Sequence, residues 1–163
     1  MIVLIVGDSG VGKSTIVSKI LNKLDNVNLV KSYTTREKRN VFDDDHIFIN
    51  DMDEVDGNII ASTIINGNFY GASDKQFYEN MINLYIVDDK GVMDIKKYFK
   101  NEIILTLKIE RNPKNIKIPI ERKNRKIKKY NISYDEIIYN DYHIDNAVDE
   151  VIKCIKKFQK MNC

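Results

Sequence analysis

Tryptophan is absent from this sequence of 163 residues, cysteine and proline occur twice each, and glycine occurs seven times. Cys154 and Cys163 have no CxxC spacing and no histidine neighbour, so neither a disulfide framework nor a zinc site is indicated. Cys154 falls among apolar residues at helical spacing and reads as a small core side chain. The scarcity of proline and glycine, with 43% hydrophobic residues and no biased tract, excludes a collagenous or disordered chain. An excess of one charge sign is also missing: Lys+Arg 26 against Asp+Glu 24 is far from the balance expected of a protein whose main partner is a nucleic-acid backbone. No apolar run approaches the roughly 18 to 20 residues that span a bilayer, and Met1 to Val6 is too short for a signal-peptide core. The expectation is a soluble, cytoplasmic chain with one compact domain over 1–163, monomeric or homodimeric, without membrane or nucleic-acid partners.

What is present begins with Ile2-Val3-Leu4-Ile5-Val6, a short apolar run ending at Gly7, as expected of a strand buried on both faces of a parallel sheet. Helical spacing follows at Ile16, Val17, Ile20, Leu21 and Leu24. Further strands are predicted at 28–31, 47–49, 84–87, 103–109 and 137–139. Helices are predicted from Ser73, with Gln76 at capping-box spacing, and around Ala147, Val148, Val151, Ile152, Ile155 and Phe158. This alternation argues for a three-layer α/β domain with a parallel central sheet. Residues 59–65, then Asn66-Gly67, then Asn68-Phe69-Tyr70 read as an inserted antiparallel hairpin with a type I′ turn.

Gly7-Asp8-Ser9-Gly10-Val11-Gly12-Lys13-Ser14-Thr15 matches GxxxxGK[ST] after a strand and at the opening of a helix. Those residues at that spacing arise by chance in about one of 200 chains of this length, before the context is required. The glycines let backbone N–H groups turn around a phosphate, and the helix dipole favours the anion. Lys13 is placed to reach β and γ phosphates and Ser14 to ligate Mg²⁺, with Thr15 in the helix rather than on the metal. Such a loop binds nucleotide phosphates in several enzyme classes. No GTPase base-reading NKxD motif is obvious, and the length leaves little room for the extra elements of large ATPases, which puts small phosphoryl-transfer kinases first.

Such a kinase needs a second anion site, and Ser32-Tyr33-Thr34-Thr35-Arg36-Glu37-Lys38-Arg39 supplies two arginines beside hydroxyl donors, since guanidinium forks suit phosphate oxygens. Together with the phosphate loop this segment resembles the guanylate kinase family, whose acceptor-phosphate loop reads S-x-T-T-R-x-x-R. Gly67-Asn68-Phe69-Tyr70-Gly71 looks like the family's G-N-x-Y-G, Asp88-Asp89-Lys90-Gly91 like its D-x-x-G, and 134–141 like its Y-D-x-x-I-x-N-D. The resemblance implies a three-layer P-loop kinase fold: a core of 1–31 and 81–163, an acceptor-binding flap of about 32–80, and a short basic lid of about 111–129. It implies ATP-dependent phosphoryl transfer to GMP or dGMP with Mg²⁺, small-molecule nucleotides being the partners. Ser32, Arg36, Arg39 and Tyr70 would hold the acceptor phosphate, Asp88 would sit near acceptor and metal, Asn140 would lie by the donor adenine, and Arg122 and Arg125 would be lid arginines.

Three departures accompany the resemblance. The family's acceptor-phosphate tyrosine falls at His46, a hydrogen-bond donor that improves on protonation. Its guanine-reading glutamate falls at Ala61 and its flap hydroxyl at Ala72, with Ser73 next to it as a substitute. The lid is shortened around 112–120. The base-reading losses keep open a kinase of the same fold acting on another nucleotide or on a phosphorylated sugar such as ribose 1,5-bisphosphate, with a non-enzymatic binding module ranked behind because Lys13 and Ser14 are intact. Asp43-Asp44-Asp45 reads as a solvated run rather than a metal site, and 51–57 fails as a calcium loop. Nine Lys or Arg between Arg111 and Lys129 suit a lid closing over a triphosphate better than a nucleic-acid stripe, since no aromatic is interleaved before Tyr130.

Overall fold

The computed structural model of the chain describes residues 1–116 and 128–162. Its strands are β1 (Ile2–Val6), β2 (Val27–Val30), β3 (Tyr33–Thr34), β4 (Ile47–Phe48), β5 (Ile59–Ile65), β6 (Asn68–Ser73), β7 (Ile82–Ile86), β8 (Ile104–Glu110) and β9 (Glu136–Tyr139). Its helices are α1 (Lys13–Leu21), α2 (Asp89–Tyr98) and α3 (Ile144–Met161). The central sheet has the order β2-β7-β1-β8-β9, and every described pairing in it is parallel.

The apolar run at the N-terminus explains the layering. Along β1, Val3 and Ile5 enter a cluster with Ile16, Val17 and Ile20 of α1 and Ala147, Val148, Val151 and Ile155 of α3. The alternate residues Ile2, Leu4 and Val6 enter a second cluster with Val92 and Ile95 of α2 and with Ala61 and Ala72 of the flap. A strand with apolar side chains on both faces is stable only between two layers. Burying each of the valine, leucine and isoleucine side chains among these contributes about 1.5–3 kcal/mol. Lys19–Asp145 and Lys23–Asp149, both at 2.8 Å, join α1 and the residues just after it to α3 at the surface, where solvent screens such pairs. Among the described residues no helix is long and apolar enough to cross a membrane.

The flap is a second sheet of order β4-β3-β6-β5. Asn66 at φ 50° and Gly67 at φ 79° form the expected two-residue turn, with both central residues left-handed. The flap is not wholly antiparallel, because β4 runs parallel to β3. The predicted helix from Ser73 does not form. A single 3₁₀ turn, Asp74–Gln76, ends at an extended Phe77, whose ring sits 6.1 Å from Tyr85 and 5.0 Å from Phe99. The buried Asn83 amide bonds both backbone groups of Tyr78, at 2.9 Å each, and competes with helical pairing. Gln76 meanwhile donates to the Lys31 carbonyl at 2.7 Å, and Asn28 donates to the Gln76 carbonyl at 2.7 Å, tying together the two chain crossings into the flap.

Gly67→Ala should lower stability by about 1 kcal/mol, because the left-handed conformation is strained for any side chain. Urea unfolding checks this, and an unchanged midpoint would mean that the turn does not hold the flap's register.

Candidate active site

The loop from Gly7 to Gly12 leaves the C-terminal end of β1 and turns directly into α1. α1 is capped by Gly12, which offers no side chain, and its first turn holds no acidic residue. The helix therefore presents its leading N–H groups without a competing carboxylate, a ready anion site. Gly12 lies at φ 101°, where a Cβ would come within 2.5 Å of Asn140 Nδ2. That Nδ2 donates to the Val11 carbonyl at 2.8 Å. Asn140 is 3% exposed, and its amide supports the loop from beneath. Lys13 Nζ crosses the loop, donating to the carbonyls of Gly7 and Asp8 at 2.7 and 2.8 Å. Ser14 and Thr15 are exposed in the first turn, while Ser9 and Gly10 form the loop's outer bend.

α1 covers one face of the sheet, whereas α2, which follows the neighbouring strand β7, covers the other. Where adjacent connections diverge in this way, a crevice opens at the carboxyl ends of the strands. Asp88 stands there as the cap of α2, accepting from the Gly91 N–H at 2.8 Å. Beside it Asp89 accepts from the Tyr134 hydroxyl at 2.8 Å and the Tyr130 N–H at 3.1 Å, and Lys129 lies 3.3 Å from Asp8 of the phosphate loop. These contacts bring 128–134 against the crevice, and the sequence pattern did not suggest them. Burial, followed by Asp89, pushes the Tyr134 phenol up to about 12. Arg122 and Arg125 lie outside the described residues.

The acceptor half is built on the loop after β2. Ser32 Oγ lies 3.0 Å from the Tyr85 hydroxyl, and Thr34 Oγ1 donates to the Phe69 carbonyl at 2.7 Å. Arg36 is largely buried. Its Nη1 donates to Asp43 Oδ2 at 2.9 Å and to the Glu37 carbonyl at 2.7 Å, and its Cζ lies 5.0 Å over the Phe48 ring. Asp43 also accepts from the Arg39 backbone N–H at 3.0 Å. Its side chain is 4% exposed, which corrects the reading of 43–45 as one solvated run: Asp44 and Asp45 are exposed, but Asp43 turns inward as a counter-ion. Only its partner distinguishes it from its two neighbours, so sequence carries no signal for it. Arg39 itself is exposed.

Several polar atoms in this half have no partner among the described residues: Arg36 Nε and Nη2, His46 Nδ1 and Ser73 Oγ are buried without a hydrogen bond there. Each such group carries a desolvation penalty of about 1–3 kcal/mol unless something binds it. The His46 ring meets Tyr70 edge-on at 5.4 Å and lies 6.2 Å from Phe48. Burial, reinforced by the positive charge of Arg36, brings the His46 imidazole down to about 4, so it is neutral near pH 7 rather than protonated as the sequence reading allowed. Burial pulls Asp43 upward, but its bonds to Arg36 and Arg39 outweigh that and bring it to about 2. Ala61 and Ala72 stand opposite each other in register and are buried, and neither carries a hydrogen-bonding side chain.

The expectation that no NKxD pattern is present is corrected: Asn22-Lys23-Leu24-Asp25 spells the pattern with which GTPases read guanine. It lies beyond the C-terminal end of the nine-residue α1, at the opposite end of that helix from the phosphate loop, about 13 Å along the axis. It is a helix terminus, with Lys23 paired to Asp149 of α3.

No family model matches the chain. It is similar to the guanylate kinase of Thermotoga maritima, 31% identical over 112 residues, covering 62% of this chain and 54% of that protein. It is also similar to that of Paraburkholderia xenovorans, 32% identical over 110 residues, 61% of this chain and 49% of that protein. The chain thus spans about half the length of these two relatives. A longer match, 28% identical, joins 98% of the chain to 94% of the guanylate kinase of Mycoplasmoides gallisepticum. The fold matches the crystal structure of guanylate kinase from Anaplasma phagocytophilum with a TM-score of 0.67 over 96% of this chain and 85% of that one, at 21% identity.

His46 and Asp43 both lie below their ordinary values of 6.5 and 3.8, so both bind fewer protons folded than unfolded. The contribution of His46 is complete above pH 6.5 and is lost as pH falls toward about 4; that of Asp43 is complete above 3.8 and is lost toward about 2. Thermal unfolding should show the melting temperature declining from pH 6.5 downward, and His46→Gln should flatten the upper part of the decline. A wild-type melting temperature that stays level down to pH 4.5 would contradict this.

Proposed function

We propose that this chain belongs to the guanylate kinase family and transfers the γ-phosphoryl group of ATP to a nucleoside monophosphate, with GMP or dGMP as the first-choice acceptor. The observation that carries the reading is the pairing of two anion sites at one end of the molecule: an uncapped helix start behind Gly7 to Gly12, and a loop in which the Nε and Nη2 of Arg36 are buried with no hydrogen-bond partner among the described residues. Transfer of this kind asks mainly for alignment and charge neutralisation rather than a covalent nucleophile. In this reading the loop N–H groups and Lys13 cradle the donor's β and γ phosphates. Arg36, Arg39, His46 and Tyr70, with Ser32, hold the acceptor phosphate, and Asp88 stands between the two. Arg122 and Arg125 are assigned to the donor as lid cations.

Ser14, exposed in the first turn of α1, fits a Mg²⁺ ion shared with phosphate oxygens, a metal that commonly takes one or two protein ligands beside substrate and water. When bound, the ion would supply charge neutralisation to the transferred phosphoryl group. Base recognition is the weaker half of the site, since Ala61 and Ala72 offer no hydrogen bond and Ser73 Oγ is the nearby buried hydroxyl without a partner. A hydrogen-bonding pocket discriminates by as much as about 10⁴–10⁵, and this one should fall well short of that.

Coupled ADP release with Mg·ATP against GMP, dGMP, AMP, CMP, UMP, dTMP and ribose 1,5-bisphosphate tests the reading. Turnover should be highest with GMP and dGMP, and turnover confined to the sugar phosphate, or absent throughout, would overturn it. Lys13→Ala should abolish transfer, whereas Arg36→Ala should raise the acceptor KM or lower kcat with ATP affinity nearly unchanged. A loss confined to ATP affinity in Arg36→Ala would show that the arginine serves the donor.

A further inference from the structure

Arg36 is held in an unusual way. Its guanidinium has one nitrogen, Nη1, bonded twice, to Asp43 Oδ2 at 2.9 Å and to the Glu37 carbonyl at 2.7 Å. The Phe48 ring lies 5.0 Å from Cζ. The Nε–Nη2 edge, the edge that forks onto two oxygens of one anion, is buried and has no hydrogen-bond partner among the described residues. Asp43 is itself fixed by the Arg39 N–H at 3.0 Å, in the same loop. The neighbouring His46 Nδ1 is likewise buried and unpartnered, and its ring also borders Phe48 at 6.2 Å.

We propose that Asp43 and Phe48 are positioning residues of the acceptor site: Asp43 anchors one corner of the Arg36 guanidinium and Phe48 fixes its plane, so that the Nε–Nη2 edge is presented ready-made to the acceptor's phosphate. The proposal rests on the reading of Arg36 as an acceptor-phosphate ligand. A free arginine must order several side-chain torsions to form a bidentate contact, and an anchored one has already done so. A carboxylate so near an anion site has the opposite electrostatic effect, repelling the ligand, which makes the two contributions separable. Asparagine at 43 removes the charge but keeps an oxygen that accepts from Arg36 Nη1 and the Arg39 N–H. Alanine removes both.

The probe is inorganic phosphate, titrated into the full chain while the arginine Nε–Hε resonances are followed by ¹⁵N NMR, with the Arg36 signal identified by its loss in Arg36→Lys. In the wild type the Arg36 signal should shift saturably. Asp43→Asn should bind phosphate as tightly as the wild type or more tightly, and Asp43→Ala about tenfold more weakly, the loss expected for one newly mobile side chain. Phe48→Leu should weaken binding in the same direction and decides the matter if Asp43→Ala does not fold. In the coupled assay, the acceptor KM should rise in Asp43→Ala and recover in Asp43→Asn, with the KM for ATP unmoved in both.

Equal tightening in both Asp43 variants would mean that only charge acts there. Unchanged phosphate affinity with a lowered melting temperature would reduce Asp43 and Phe48 to fold support. Absence of any wild-type shift would remove the anion site altogether. If the phosphate results hold while no nucleoside monophosphate is turned over, the positioning role stands and the kinase reading falls.

Discussion

The burial of β1 on both faces is the constraint from which the rest of the site follows. A strand of five apolar residues cannot be covered by a single layer, so helices must lie on opposite sides of it. α1 goes to one side, and α2, which leaves the neighbouring strand, goes to the other. Their divergence opens the crevice at the strand ends, and the chain must turn sharply out of β1 to reach α1. A turn that tight is made from glycine backbone, which is also the backbone that wraps a phosphate. Packing and chemistry therefore select the same residues at Gly7 to Gly12. The buried amide of Asn140, delivered from the far side of β9, closes the arrangement by bonding the loop's own carbonyl.

The acceptor half rests on different physics. It is a polar cluster in a poorly solvated place, where paired charges are strengthened and unpaired donors are expensive. Asp43 neutralises Arg36 at one corner and thereby makes the arginine's burial tolerable, while the opposite edge stays unsatisfied. The neutral His46 beside it follows from the same lack of water and from the same arginine charge. The flap that carries these groups is tied to the core through short polar links at Gln76, Asn28 and Asn83. Those amide links do not titrate, so the acid sensitivity of this half lies with Asp43 and His46.

Local rules were enough for the elements whose pattern is self-contained. The phosphate loop, the Asn66-Gly67 turn, the buried first strand and the long amphipathic α3 all follow from short-range spacing, because backbone conformation there depends on residues within a turn or two. They failed where distant groups outbid local preference. The stretch after Ser73 carries a helix-start signal, yet Asn83 and the Phe77, Tyr85 and Phe99 rings draw it into an extended path. Of three consecutive aspartates only Asp43 is buried, and nothing in the run distinguishes it from the other two.

The sequence by itself determined the layer architecture, the donor-phosphate loop and the residue types available for a second anion. Those depend on periodicity, on glycine's backbone freedom and on the fixed chemistry of arginine and lysine. Tertiary structure alone decided which carboxylate pairs with Arg36, which edge of its guanidinium stays open, and that His46 is neutral. Charge state and hydrogen-bond partnership are set by the local dielectric and by groups arriving from other strands, and neither property exists until the chain has packed.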